Sequence, residues 1–225
     1  MKKIITALCL FALGMSAQAQ IIKPKNQDTY TLDANGQLVR KDDAAPRKAL
    51  FERKKKEIPA KYLAGACPEV NGKVTWEKTI EANGLSAKEI YDRMLVYMQA
   101  FCKSKEQTEL SNVSIVEESS HTIGARLQEI MVFQNKALSL DQTKFNYQLI
   151  LQCSDGKCLV TMRNMSYIYE EDRGGGQFPA EDMLADANAL NKRGDGFQKG
   201  GITKFRMHTI DRKDEIFTLL ENALK

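Results

Sequence analysis

A two-residue Asp-Gly turn lies at the centre of residues 151–160, LQCSDGKCLV. The type I′ turn of a β-hairpin needs positive φ at both central residues, and Asp155-Gly156 is among the pairs that tolerate this conformation best. The segment therefore predicts two antiparallel strands joined by this turn. Ser154 and Lys157 then form the first pair beside the turn, and that pair fixes the register of every residue farther out.

The next pair outward consists of Cys153 and Cys158. This pair is not hydrogen-bonded, so its Cα atoms lie close enough for a disulfide, which we expect to form. The alternatives are two simple buried thiols, or a metal or redox pair. The C-x4-C spacing is a weak pattern for zinc and differs from the C-x-x-C of redox catalysts. Whether Cys67 and Cys102 pair with each other stays open at this stage.

The hairpin register assigns side chains to two faces of the sheet. Apolar residues such as Leu149 and Val160 share one face with the cysteines, which we expect to lie beneath helices. Extending the register places Asn146 opposite Met165 and Lys144 opposite Tyr167. The outward face then resembles an interface in composition, although an ordinary solvated face also fits. We predict a binding surface made of Gln148, Ile150, Arg163, Met165, Tyr167 and Tyr169.

The N-terminus has the three parts of a secretory signal peptide. Lys2 and Lys3 precede a short apolar core, and Ala17-Gln18-Ala19 forms a small-x-small cleavage site. We predict cleavage after Ala19 and a periplasmic or secreted protein. That compartment is oxidising, which favours the predicted disulfide. No later run is long and apolar enough for a transmembrane helix, so none is expected.

Charge divides the rest of the chain into two parts. Residues 21–70 hold eleven basic and seven acidic residues, although the whole chain carries only +4. We expect residues 20–70 to be a charged linker, with a small hairpin around Asn35-Gly36 and otherwise a solvated helix or a disordered stalk. A functional alternative makes ERKKKE, residues 52–57, an electrostatic contact to an acidic surface. The domain after it lacks a basic field, so we expect no nucleic acid as partner.

Hydrophobic periodicity predicts one α+β domain over residues 71–225. Ser86 and Glu89 form a capping box that begins a helix over 86–103, and Asp211 is a plausible N-cap of the last helix. A long irregular loop is expected over 170–209. Four closely spaced strands indicate an antiparallel meander. The predicted strands cover residues 74–80, 111–118, 122–134, 143–153 and 158–169.

Several strings in this domain resemble a family of exported proteins of Bacteroides-like bacteria, known as a domain of unknown function with a TATA-binding-protein-like fold. They are GKVTWEKTIEANGLSAKEIYDRMLVYM, LDQTKFNYQLILQCSDGKCLVTMRNMSYIYEE, DANALNK and KFRMHTIDRKDEIFTLLENALK. The resemblance covers roughly residues 70–225. It implies a curved antiparallel sheet with two helices on one face, in the order β-α-β-β-β-β-α. It implies no activity, and the fold name alone does not carry DNA binding with it.

The chain contains none of the common catalytic motifs, and we expect no metal and no cofactor. The predicted function is a non-catalytic exported binding module that contacts an unknown envelope protein. One alternative is an envelope hydrolase that uses Glu117 with His121, or His208, as acid and base groups. Another is a structural domain that self-associates through its outward sheet face.

Overall fold

The computed structural model describes residues 30–32, 38–40, 57–136, 139–170, 174–198 and 200–225. The predicted signal peptide and most of the predicted linker lie outside these residues. Two short strands, β1 (Tyr30–Leu32) and β2 (Leu38–Arg40), belong to the N-terminal unit, residues 1–56, and pair antiparallel. These two strands flank Asn35-Gly36, around which the sequence predicts a small hairpin.

The second unit, Glu57–Lys225, is described by itself and contains both helices and strands. It opens with a 3-10 helix at Ala60–Tyr62. The strands are β3 (Glu69–Val70), β4 (Lys73–Val74), β5 (Trp76–Glu81), β6 (Asn112–Glu117), β7 (Thr122–Lys136), β8 (Ser139–Ser154), β9 (Lys157–Tyr169) and β10 (Gly176–Pro179). The helices are α1 (Ala87–Phe101), α2 (Ala180–Leu184), α3 (Asp186–Ala189) and α4 (Ile202–Leu224).

The main sheet is antiparallel, in the order β6-β7-β8-β9 with β5 and β10 beside β9. The β5 strand pairs with residues 157–162 of β9, and β10 pairs with residues 166–169. Helices α1 and α4 contact each other and the sheet, and their apolar side chains join the buried side of the sheet in one core. The predicted α+β class with an antiparallel sheet is therefore confirmed.

A capping box begins α1 as predicted. The hydroxyl of Ser86 accepts from the backbone N–H of Glu89 at 3.4 Å. The Glu89 carboxylate accepts from the backbone N–H of Ser86 at 2.9 Å. The hydroxyl of Ser86 also donates to the Glu89 carboxylate at 2.7 Å. The hydrogen bond from the Ser86 backbone N–H, and then the bond from its hydroxyl, lower the pKa of Glu89 below its usual value. Without these hydrogen bonds, the backbone N–H groups of Ser86 and Glu89 would lack partners at the start of the helix.

We expect Ser86→Ala to lower the free energy of unfolding by about 1 kcal/mol, because the N–H of Glu89 loses its partner. Since folding lowers the pKa of Glu89, its contribution is present above the unfolded-state pKa and is lost as the pH falls through the folded value. Urea unfolding at neutral and acidic pH measures both effects. Ser119→Ala, in an exposed turn, is the control. An equal loss in both variants would contradict the capping role.

The predicted hairpin register holds near the turn and then fails at a β-bulge. Cys153 pairs with Cys158 and Gln148 with Arg163, as expected. Beyond them, β9 has one extra residue, so that Asn146 pairs with Ser166 rather than Met165. Asn164, which has a φ of 51°, lies in the bulge. Asparagine tolerates this left-handed conformation better than most residues.

The extra residue reverses the facing of the end of β9. Met165 is 3% exposed and Tyr167 is 0% exposed, and both belong to the core beneath the helices. Tyr169 is half-buried and packs on Phe205 of α4 with ring centroids 5.3 Å apart. The prediction that these three residues lie on the outward face is therefore wrong, because a shift of one residue turns every later side chain over.

The predicted disulfide is also wrong in this structure. The sulfur atoms of Cys153 and Cys158 face each other at 3.8 Å, as free thiols, whereas a disulfide bond is about 2.05 Å long. The contact with Cys153, together with burial, raises the pKa of Cys158. Cys67 and Cys102 are buried free thiols as well. The cysteines therefore serve here as small core residues.

The region predicted as a loop over 170–209 holds β10, α2, α3 and the first turns of α4. The last helix begins at Ile202 after Gly201, so Asp211 lies inside it and is not its N-cap. Its early turns bury Arg206 and Thr209, polar residues that hide the apolar pattern in the sequence. The folded unit also begins before residue 71, because Tyr62 is buried in its core.

Candidate functional site

The outer side of β7 is the most distinctive open feature of the main sheet. The N–H of Cys153 bonds to the carbonyl of His121 at 3.0 Å, just before β7 begins. Hydrogen-bonded and non-bonded pairs alternate along antiparallel strands, so the backbone N–H and C=O groups of odd-numbered β7 residues point toward β8. The backbone groups of even-numbered residues point away from β8, as the 2.8 Å bond from the N–H of Thr108 to the carbonyl of Gln128 shows.

Pairing on this outer side ends part of the way along β7. Strand β6 pairs only as far as Arg126, and an isolated bridge joins Gln107 to Glu129. Beyond that bridge, no strand among the described residues pairs with the outer side of β7. The carbonyl of Ile130 and both backbone groups of Val132 therefore project from a free edge. A free edge is a template for adding another strand.

A groove of about 340 Å³ runs between this edge and helix α4. Ile130 and Val132 are each 42% exposed at its rim. A β-bulge at Phe133 ends the straight part of the edge. The groove is lined by Glu106, Glu129, Ile130, Met131, Val132, His208, Asp211, Arg212 and Glu215. We call it the β7 groove.

A buried ion pair forms the floor of the β7 groove. The Arg212 Nε donates to both carboxylate oxygens of Glu129, at 2.9 and 3.1 Å. Gln107 and Tyr147 also donate to this carboxylate, at 3.0 and 3.3 Å. Burial and then the charge of Glu129 raise the pKa of Tyr147, so its hydroxyl stays a neutral donor. Arg212 Nη2 donates as well, at 2.9 Å, so four donor atoms hold the Glu129 carboxylate in place.

The remaining acidic groups of the groove lie closer to solvent. Glu215 pairs with Arg212 Nη1 at 2.7 Å and is 60% exposed. Asp211 accepts from Lys61 at 2.6 Å and from the hydroxyl of Tyr62 at 2.7 Å. Glu106 is 43% exposed, and Lys105 lies 3.7 Å from it. The lining thus carries four carboxylates and one guanidinium, which gives the groove an acidic character.

The three histidine and glutamate residues predicted as catalytic candidates do not come together. Glu117, at the end of β6, is exposed, and its carboxylate accepts from Ser119 at 3.4 Å. The ring of His121 packs edge-on against Tyr91, with centroids 5.7 Å apart. Only His208 lines the β7 groove. Among the described residues, no hydrogen bond joins Glu117 to His121.

His208 is held against an aromatic group rather than in a hydrogen-bonded relay. Its ring packs edge-on against Phe133, with centroids 5.2 Å apart. The same Phe133 ring packs against Phe205 at 4.7 Å. Acid–base catalysis needs a positioned proton acceptor or donor within hydrogen-bond reach of the substrate. The aromatic contacts fix the position of the His208 ring.

The outward sheet face keeps three of its six predicted residues. Gln148 and Ile150 are half-buried there, and Arg163 is exposed. Side-chain amides join the strands across this face. Gln128 donates to Asn146 at 2.8 Å, and Asn164 donates to Gln148 at 2.8 Å. The face is therefore polar and internally hydrogen-bonded, and Ile130 and Val132 of β7 are exposed apolar residues beside it.

Glu129 and Arg212 are not among the residues predicted from the sequence. One signal for Glu129 was present in the chain. Leu127, Glu129 and Met131 occupy successive inward positions of β7, where a carboxylate is rare unless it is paired. The partner could not be identified in the same way, because Arg212 lies 83 residues away.

In the described part of the chain, no group of three or more His, Cys, Asp or Glu side chains could hold a metal ion. None of its helices is long and apolar enough to cross a membrane.

These features define an α+β domain with an antiparallel sheet, helices on one face and an acidic groove at a free strand edge. Residues 76–168 match the family described as a domain of unknown function (DUF4468) with TBP-like fold. A DUF4468 family protein from Bacteroides ovatus ATCC 8483 is 34% identical, with a TM-score of 0.70. That match covers 75% of this chain and 96% of the other. The chain belongs to this family.

A second solved structure shows the same fold at lower identity. It is a TBP-like protein from Parabacteroides distasonis ATCC 8503, 20% identical with a TM-score of 0.58. The match covers 70% of this chain and 96% of that chain. No curated protein matches the chain. The resemblance inferred from the sequence strings is therefore confirmed at the level of family and fold.

Proposed function

We propose that this protein is an exported, non-catalytic binding module that contacts a partner in the cell envelope through the β7 groove. The observation that carries the proposal is the free edge at Ile130 and Val132, bordered by helix α4. Natural proteins usually cover or blunt such edges. A groove that combines free backbone groups with exposed apolar and charged side chains suits recognition of another chain.

The charged groups of the groove support binding rather than catalysis. Glu129 is held by four donors, and Asp211 by Lys61 and Tyr62. These carboxylates are already satisfied within the fold, so they serve as fixed charges. The export part of the proposal rests on residues 1–19, whose pattern is typical of a signal peptide.

A second candidate function is an envelope hydrolase, favoured by the position of His208 in the groove beside the carboxylates of Asp211 and Glu215. This candidate needs a reacting group within reach of His208. Self-association is the third candidate, and it places two acidic grooves against each other if the same edges pair. Like charges at such an interface cost free energy.

Site-specific crosslinking in the producing cells tests the binding proposal. A photoreactive phenylalanine analogue replaces Ile130 at the groove rim, or Glu81 on the opposite side of the sheet as a control. We expect an envelope protein to be crosslinked from position 130 and not from position 81, because only the former lines the β7 groove. Crosslinked products are separated by mass and identified by mass spectrometry.

The same experiment separates the candidate functions. An adduct between two copies of this chain would support self-association in place of a partner. Identical adducts from both positions, or none from position 130, would contradict a binding role for the groove. Loss of a measured hydrolytic activity in His208→Ala, with crosslinking unchanged, would instead favour the hydrolase.

A further inference from the structure

The free edge of β7 sets the direction in which a further strand would run. Gln107 and Thr108 occupy the outer side at Glu129 and Gln128. The next outward groups are the carbonyl of Ile130 and the N–H and carbonyl of Val132. An extended segment placed there continues the line begun by Gln107, and it meets donors and acceptors at strand spacing.

The side chains of such a strand would alternate between two environments. Every second side chain would lie on the outward face, beside the exposed side chains of Ile130 and Val132. The others would point toward α4, where they meet Asp211 and Glu215. Opposed side chains on one face of a sheet contact each other directly. The first set therefore suits apolar residues.

The charge of the groove determines which side chains would fit on the side that points toward α4. Arg212 is shared between Glu129 and Glu215, so one guanidinium balances two carboxylates. Glu106 and Asp211 add two more acidic groups, and Lys61, which pairs with Asp211, is not part of the groove lining. The lining keeps an excess of negative charge. A second acidic groove would be repelled, whereas Lys or Arg side chains complement it.

We infer that the β7 groove binds an extended peptide segment with alternating apolar and basic residues, which adds to the sheet as a strand beside β7. The inference rests on the proposed function and names the chemistry of the partner. Backbone hydrogen bonds to Ile130 and Val132 hold the segment. The basic side chains select it through the carboxylates on the helix side of the groove.

Four synthetic peptides test this recognition on the protein from Gln20 to Lys225. The first is acetyl-Thr-Val-Lys-Val-Lys-Val-Thr-amide with a fluorescent label, and binding is followed by anisotropy. The second has Glu in place of Lys, and we expect at least about tenfold weaker binding. The first peptide should also bind more weakly as salt is raised, because the carboxylates near solvent are screened.

The other two peptides carry N-methyl groups, which remove backbone donors without changing charge. One version is methylated at the three Val residues and the other at the two Lys residues. In a strand only alternate N–H groups face the neighbouring strand. We expect one version to lose binding by at least about tenfold and the other to keep it. If methylation of the Val residues weakens binding, the peptide adds to the sheet antiparallel to β7.

Variants of the protein locate the site. Glu215→Gln and Glu106→Gln should each weaken binding of the Lys peptide about threefold to tenfold, whereas Glu81→Gln on β5 should not. Val132→Pro removes an outward N–H and should weaken binding about tenfold. Proline is tolerated at edge strands and beside bulges. If this variant fails to fold, the N-methylated peptides test the same bonds.

Equal binding of the Lys and Glu peptides, or unchanged binding in both N-methylated peptides, would overturn the inference. So would an effect of Glu81→Gln as large as that of Glu215→Gln. Failure of all peptides, combined with an envelope partner crosslinked from position 130, would refute the alternating basic segment but leave the proposed function standing. Absence of both would refute the two together.

Discussion

Replacing Arg206 with methionine is expected to lower the free energy of unfolding by about 3–5 kcal/mol. Arg206 is 0% exposed and donates to the carbonyls of Tyr62, Leu63 and Leu184. It also pairs with the Asp186 carboxylate at 2.7 Å. Methionine fills similar space but donates nothing. The carbonyls belong to the backbone and stay in place, so they lose their partner.

Arg206 connects segments that are distant in the sequence, so the loss of unfolding free energy should be large. Arg206 on α4 joins the 3-10 helix at Ala60–Tyr62 to the end of α2 at Leu184 and to the start of α3 at Asp186. Each buried polar group left without a partner costs about 1–3 kcal/mol. Urea unfolding of the protein from Gln20 to Lys225 measures the loss. Arg206→Lys should lose less unfolding free energy than Arg206→Met, because it keeps the charge. It should still be less stable than the unchanged protein, because lysine reaches fewer carbonyls.

The matched control is Arg193→Met, at an exposed position of the same chain. A surface substitution of this kind should change stability by no more than about 0.5 kcal/mol. A loss below about 1 kcal/mol in Arg206→Met would mean that the carbonyls find other partners, and that Arg206 does not hold these segments together. Equal losses in both variants would lead to the same conclusion.

Local chemistry made a large part of the fold predictable. The Asp155-Gly156 turn specified a hairpin and its first pairs, and the Ser86 capping box located the start of α1. Both features depend on residues close together in sequence. The helix α4 was placed too late, because the sequence does not show that Arg206 and Thr209 would be buried. Their burial depends on partners such as Tyr62 and Tyr167, which are distant in the chain.

The candidate site was less predictable for a related reason. His208 was identified by residue type, but the groove around it exists because β6 is shorter than β7. Strand length and the bridge at Gln107 are not encoded by any one motif. The acidic character of the groove also depends on Glu129 and Glu215 meeting at Arg212, a contact between the sheet and a helix. Only the folded chain brings these charges together.

Replacing Tyr167 with alanine is expected to cost about 3–5 kcal/mol of unfolding free energy. Its ring stacks on Phe145 with centroids 5.3 Å apart and packs edge-on against Phe205 at 4.9 Å. The hydroxyl shares a 2.6 Å hydrogen bond with Thr209. Burial raises the pKa of Tyr167 above its usual value, so the side chain stays neutral. Alanine removes these contacts and leaves a cavity.

The bulge at Asn164 makes this prediction discriminating, because without it Tyr167 would lie on the outward face and its truncation would cost little. Tyr167→Phe keeps the ring and should lose only about 1 kcal/mol, the contribution of one hydrogen bond. Arg163→Ala, before the bulge and exposed, should change stability by less than about 0.5 kcal/mol. Urea unfolding of the three variants compares them directly. If Tyr167→Ala were as stable as Arg163→Ala, the unbulged register would be correct, and Met165 and Tyr169 would return with Tyr167 to the outward face.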